Sequence, residues 1–121
     1  MKDFRIDYVE LPSGNVPFEA FLEDLTIKER TEVFALIEVV KSKMNNSERI
    51  PTNISKHLDS GIFELRVKHL NRISRTLYFF QIGELMIITH GFIKKTSAVP
   101  SKEIEKAKKY RKIYIEASNA Y

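Results

Sequence analysis

The sequence contains no cysteine and no tryptophan, and its 121 residues include only four glycines and four prolines. Without cysteine the chain cannot form a disulfide framework, a thiolate metal site or a cysteine nucleophile. No apolar run approaches the roughly 20 residues that a membrane helix needs. Residues 1–8 carry charge throughout and lack the apolar segment of a secretory signal. These absences exclude a disulfide-rich secreted domain and a membrane partner, and they fit a cytoplasmic location.

Positive charge is in excess and is unevenly distributed. The chain has 20 Lys and Arg residues against 16 Asp and Glu residues, with a pI of about 9.3. The cations concentrate in residues 94–112, whereas most of the acidic residues lie in the first half of the chain. A chain of this length is expected to fold as one domain over residues 1–121. The excess of basic residues favours an anionic partner, and a nucleic-acid backbone is the first candidate.

The hydrophobic pattern predicts the element order β-α-α-β-β-β-α. Strands are predicted at 4–11, 63–68, 72–82 and 85–93, and helices at 17–25, from 27 to about 44, and from Pro100 onwards. Residues 48–60 are irregular in this scheme, with room for a short strand. The last strand is apolar on both faces, which predicts a central position in the sheet, covered on both sides. The predicted fold is α+β, with a small, mainly antiparallel sheet, an N-terminal helical hairpin and a C-terminal helix.

Thr26 and Glu29 form a local signal at the start of the second helix. A threonine followed three residues later by glutamate is typical of a capping box, in which each residue satisfies a backbone N–H of the other. We therefore expect this helix to begin directly after Thr26.

The three-strand block from residue 61 to residue 96 concentrates cations, and its only acidic residues are Glu64 and Glu84. A sheet that concentrates positive charge in this way is suited to bind an anion, with a nucleic-acid backbone as the first candidate. Arginine also binds phosphate through two N–H groups at once. The candidate phosphate-binding cations at the centre of the site are Arg66, Arg75, Lys94 and Lys95, and the candidate RNA contacts around them are Lys56, Lys68 and Arg72.

Several of these positions also have a structural interpretation. Arg75 interrupts an apolar strand face, which is typical of a functional position, but it could instead reach solvent from the strand end. His90 is a candidate proton acceptor, although a lone histidine in a buried strand is more often a satisfied core residue. No Asp/Glu pair or histidine cluster with metal-ligand spacing accompanies the block, so the sequence predicts no metal and no other cofactor.

The same block resembles the RelE/ParE superfamily of bacterial toxins, in its phage-derived HigB-like branch. The likeness extends over about residues 55–115 and depends on four segments in matching order and spacing. They are G-I-F-E-L-R at 61–66, R-x-x-R-x-x-Y-F-F at 72–80, H-G-F-I-K-K-T at 90–96 and P-S-K-E-I-E-K-A at 100–107. The resemblance implies a RelE-like fold and the toxin component of a type II toxin–antitoxin system.

RelE-type relatives cleave mRNA on the ribosome without a metal ion, and an antitoxin inhibits each of them. The resemblance therefore implies the ribosome, mRNA and a helix-turn-helix antitoxin of the HigA kind as partners. Carried over by motif, it implies catalytic roles for Arg66, for Arg75 three residues before Tyr78, and for Lys94 or Lys95.

One feature of many RelE-type toxins is missing. They carry a tyrosine near the C-terminal helix that helps in cleavage, whereas residues 97–105 contain none and Tyr110 comes later. Two alternatives stay open. The chain could be a ParE-like toxin that acts on gyrase through protein contact, or an RNA-binding module without catalysis.

Overall fold

The computed structural model describes residues 2–81, 83–94 and 99–119. Its elements are β1 (Arg5–Tyr8), α1 (Pro17–Glu23), α2 (Ile27–Asn45), β2 (Ser55–Asp59), β3 (Ile62–His69), β4 (Arg72–Gln81), β5 (Leu85–Lys94) and α3 (Ser101–Ser118). The predicted α+β class is confirmed. The element order agrees except for one further strand, β2, which lies within residues 48–60, where the sequence left room for a short strand. In the described part of the chain, no helix is long and apolar enough to cross a membrane.

The five strands form one mixed sheet in the order β1-β5-β4-β3-β2. Strands β2 to β5 pair antiparallel, and β1 pairs parallel with β5. The last strand, β5, lies inside the sheet, and helices pack on both of its faces as predicted. The central position predicted for it belongs instead to its neighbour β4.

The sheet separates two hydrophobic clusters. On the side that we call the hairpin face, α1 and α2 pack on the strands. The buried residues of this cluster are Phe18, Phe21, Leu25, Val33, Ile37, Val40, Leu65, Val67, Tyr78, Met86 and Ile88. On the opposite side, which we call the α3 face, α3 packs through Ala107 against Ile62, Leu77, Phe79 and Ile87. Alternation along each strand therefore decides which helix layer a side chain meets.

Gly91 allows α1 to lie close to β5. A Cβ built at position 91 would come within 2.3 Å of a ring carbon of Phe21, closer than any real contact. Because Phe21 is itself buried, its ring has little room to move. The glycine of the H-G-F segment is thus explained by helix packing on the hairpin face.

The predicted capping box is present at the start of α2. Thr26 accepts a hydrogen bond from the Glu29 backbone at 3.1 Å, and the Thr26 backbone donates to the Glu29 carboxylate at 2.9 Å. Arg72 of β4 also binds this carboxylate, with Nε 2.9 Å from Oε2 and Nη2 3.0 Å from Oε1. Burial acts to raise the pKa of Glu29, but hydrogen bonds from Thr26 and Arg72 hold it below its usual value. The Glu29–Arg72 pair therefore ties the helical hairpin to the end of β4.

Candidate functional site

Strand register brings most of the predicted site residues onto the α3 face. Directly opposed residues on antiparallel strands share a face. Three rows of them cross strands β3 to β5, and the first row also reaches β2. The first row is Lys56, Glu64, Leu77 and His90; the second is Arg66, Arg75 and Phe92; the third is Lys68, Ile73 and Lys94. We call these the cationic rows. They contain all the candidate catalytic and RNA-contacting residues except Arg72 and Lys95.

The two remaining candidates stand apart from the cationic rows. Arg72 lies on the hairpin face, where it binds Glu29 and donates to the Asp24 carbonyl at 3.1 Å. These contacts give Arg72 a structural role. An RNA contact by Arg72 stays a prediction, because the residue lies on the opposite face of the sheet from the cationic rows. Lys95 lies outside the described residues.

The centre of the cationic rows is a buried cluster of two arginines and one glutamate. Glu64 Oε2 accepts a hydrogen bond from Arg75 Nη1 at 2.8 Å, and Glu64 Oε1 accepts one from Arg66 Nε at 2.5 Å. The side chains of Arg75 and Glu64 are 0% exposed, whereas that of Arg66 is 33% exposed. The interpretation that Arg75 reaches solvent from the strand end is therefore wrong.

Sequence reasoning did not include Glu64 among the site residues. The available signal was alternation, because an acidic residue two positions before Arg66 on the same strand lies on the same face. Its burial, and its bond to an arginine on the next strand, depend on tertiary contacts. Glu64 is the carboxylate around which the predicted cations are arranged.

Lysines surround the buried cluster. Lys56 and Lys68 are exposed and Lys94 is half-buried, and Phe92 lies half-buried in the row of Arg75. Within the described residues, no group of three or more histidine or carboxylate side chains is placed to hold a metal ion. The arrangement combines arginines held by a buried carboxylate with accessible lysines, and such a set can bind a phosphate group and stabilise charge that develops on it.

His90, in the first row, has a partner at each ring nitrogen. Nδ1 lies 3.1 Å from the Thr89 hydroxyl and Nε2 lies 3.3 Å from Glu103 Oε1. The residue is 4% exposed, and its ring packs against the rings of Tyr110 and Phe92. It borders a cleft of about 650 Å³ between α1 and α3. These contacts favour the core interpretation of His90 over the role of proton acceptor.

His90 is expected to make the stability of the fold depend on pH. Burial lowers its pKa from 6.5 to about 4, although Glu103 acts in the opposite direction. The unfolded chain therefore binds a proton more readily between these values. We expect His90 to leave the free energy of unfolding unchanged above about pH 6.5 and to lower it, by about 3 kcal/mol, as the pH approaches 4.

Thermal unfolding of the protein across this pH range measures the effect. The variant His90→Gln removes the titrating group and should flatten this part of the stability curve, while acidic residues such as Glu29 continue to titrate at lower pH. An equally steep loss of stability in His90→Gln would show that another group is responsible.

Comparison with known proteins identifies the family. A family model described as "Phage derived protein Gp49-like (DUF891)" matches residues 20–112, which include α2, strands β2 to β5 and all three cationic rows. No curated protein matches the chain. The matched family is RelE/HigB-like, which confirms the resemblance at that level. Because the match covers most of the sequence and all three cationic rows, the chain belongs to the phage-derived Gp49-like family of RelE/HigB-like toxins.

Proposed function

We propose that the protein is the toxin of a type II toxin–antitoxin system, of the HigB kind, and that it cleaves mRNA on the ribosome without a metal ion. The observation that carries the proposal is the pair Arg66 and Arg75, which are directly opposed and held by one buried carboxylate. Lys56, Lys68 and Lys94 surround this pair on the same face. Membership of a toxin family supports the proposal independently.

In the proposed reaction the 2′-hydroxyl of the mRNA attacks the neighbouring phosphorus. The bond from phosphorus to the 5′ oxygen breaks, and a 2′,3′-cyclic phosphate and a 5′-hydroxyl form. One proton passes from the attacking hydroxyl to the leaving oxygen by way of solvent. The phosphate gains negative charge in the transition state, and fixed arginines stabilise this state more than the ground state. Alignment of the mRNA by the ribosome supplies the positioning.

The family implies an antitoxin partner. We propose a helix-turn-helix protein of the HigA kind that presents an acidic and apolar segment to this chain. Electrostatic complementarity to the cationic rows and to the exposed lysines of α3 supports an acidic partner.

A ParE-like toxin that acts on gyrase is the alternative. The specific observation in its favour concerns Tyr110, the first tyrosine of α3. Its ring packs at a right angle against His90, with 5.5 Å between ring centroids. Tyr110 is therefore engaged in side-chain packing instead of pointing away from the core as a proton-transfer group.

Controlled expression followed by mapping of mRNA 5′ ends tests the proposed function. We expect growth arrest, with new 5′ ends on translated messages and none on a message whose start codon has been removed. Arg66→Ala should lose this cleavage, while Lys112→Ala on the exposed side of α3 should retain it. Continued protein synthesis with accumulating DNA breaks would favour the gyrase alternative, and normal growth would favour a binding module.

A further inference from the structure

Glu64 is the one acidic residue of the cationic rows. It is fully buried, and each of its oxygens accepts a hydrogen bond from a different arginine. Lys56 lies directly opposite it on β2 and Leu77 directly opposite on β4. A carboxylate at this place reduces the positive charge that the proposed RNA chemistry requires, so its presence calls for a physical explanation.

The explanation lies in the placement of the two arginines. Arg66 and Arg75 are directly opposed on neighbouring strands, and like charges in directly opposed positions repel each other. Without a counter-ion, the two long side chains would adopt different rotamers and separate. Glu64 lies two residues before Arg66 on the same face, so one carboxylate reaches both guanidinium groups.

We propose that Glu64 is a positioning residue of the RNA-cleavage site: anchored by the buried Arg75, it holds the guanidinium group of the accessible Arg66 in place for the scissile phosphate. The inference rests on the proposed function. Arg66 binds Glu64 through Nε, so its two Nη groups form the edge that can bind a phosphate in a bidentate way. Two arginines share one carboxylate, and the cluster therefore keeps a positive charge.

Stability alone is a weak explanation of the Glu64–Arg75 pair. Removing two charges from water costs free energy that offsets their attraction, so a buried ion pair often stabilises a fold no better than apolar residues of the same size. The feature that the pair does provide is a fixed orientation of the guanidinium groups, which is what a preorganised phosphate site requires.

Steady-state cleavage of a short mRNA on purified ribosomes tests the proposal with the wild-type protein, Glu64→Gln, Glu64→Asp and the control Glu105→Gln. Glu64→Gln keeps the shape of the side chain and removes its charge. We expect kcat to fall about 10- to 100-fold because the arginines lose their alignment. KM should fall about two- to five-fold because the surface becomes more positive. Glu105→Gln removes an exposed acidic charge from α3 and should leave kcat unchanged.

Glu64→Asp keeps the test decisive if Glu64→Gln does not fold. The aspartate retains the counter-ion of the buried arginine, but its side chain is shorter and cannot hold both guanidinium groups at their present distances. We expect a folded protein with a reduced kcat and a KM close to that of the wild type. The folded fraction of each variant, measured by circular dichroism, normalises the rates.

Three results would overturn the inference. A kcat per folded molecule equal to that of the wild type in both Glu64 variants would make the residue merely structural. A rise in kcat together with a fall in KM would show that Glu64 competes with the phosphate for the arginines. A wild-type protein that cleaves no message would overturn the proposed function itself, and this inference with it.

Discussion

Replacing Arg75 by alanine is expected to lower ribosome-dependent cleavage by about 10²- to 10³-fold, because the buried cation adds fixed positive charge to the site and anchors the Glu64 carboxylate that orients Arg66. Arg75 is the interior member of the arginine pair, and its bond to Glu64 keeps its guanidinium in one place. Cleavage of a ribosome-bound message by the purified variant, normalised to its folded fraction, measures the loss.

The same substitution is expected to destabilise the fold by about 3 kcal/mol, near the lower end of the range for breaking a buried ion pair. Glu64 would stay buried with Arg66 as its remaining partner. An arginine that reached solvent from a strand end would cost only about 1 kcal/mol, so the burial of Arg75 raises the expected loss. Thermal and urea unfolding measure this second effect.

A double variant separates the two effects of Arg75. Glu64→Leu combined with Arg75→Met removes both buried charges, so we expect stability to recover towards that of the wild type. Cleavage should stay lost, because the variant lacks both the buried cation and the carboxylate that orients Arg66. Near-normal cleavage by a folded Arg75→Ala protein would contradict the proposal, and Arg66 with the surrounding lysines would then have to carry the phosphate alone.

Replacing Arg72 by alanine is expected to destabilise the fold but to leave cleavage by the folded protein nearly unchanged. Glu29 is fully buried and would lose both hydrogen bonds from the guanidinium, while its capping bonds to Thr26 remain. We expect a loss of about 2–3 kcal/mol, less than for a fully buried pair because the side chain of Arg72 is 34% exposed. Cleavage per folded molecule should stay within about twofold of the wild type, since Arg72 faces away from the cationic rows.

Denaturant unfolding and ribosome-programmed cleavage of Arg72→Ala test this expectation. Arg49→Ala removes an exposed arginine from the loop after α2, so it controls for the loss of one positive charge. If Arg72→Ala kept its stability and lost cleavage, Arg72 would be the RNA contact that the sequence predicts, and the Glu29 pair would be incidental.

The sequence by itself determined the features that depend on local chemistry. Periodicity predicted the three helices and the three-strand block, because apolar spacing differs between helices and strands. Thr26 and Glu29 predicted the start of α2, since a capping box needs only residues three positions apart. Alternation also placed Arg75 on an apolar strand face. The four segments at 61–66, 72–80, 90–96 and 100–107 carried the resemblance that the family match confirms at the superfamily level.

Only the tertiary structure decided which of the cations act together. Arg72 and Arg75 belong to the same arginine-rich segment, yet one meets Glu29, a residue 43 positions away, and the other meets Glu64 on the neighbouring strand. His90 likewise finds Glu103 only because α3 packs on that face. A shift of one residue in strand register would exchange the two faces of the sheet. The packing of both hydrophobic clusters sets that register. Because these clusters bring together residues that are distant in the sequence, no local pattern can predict it.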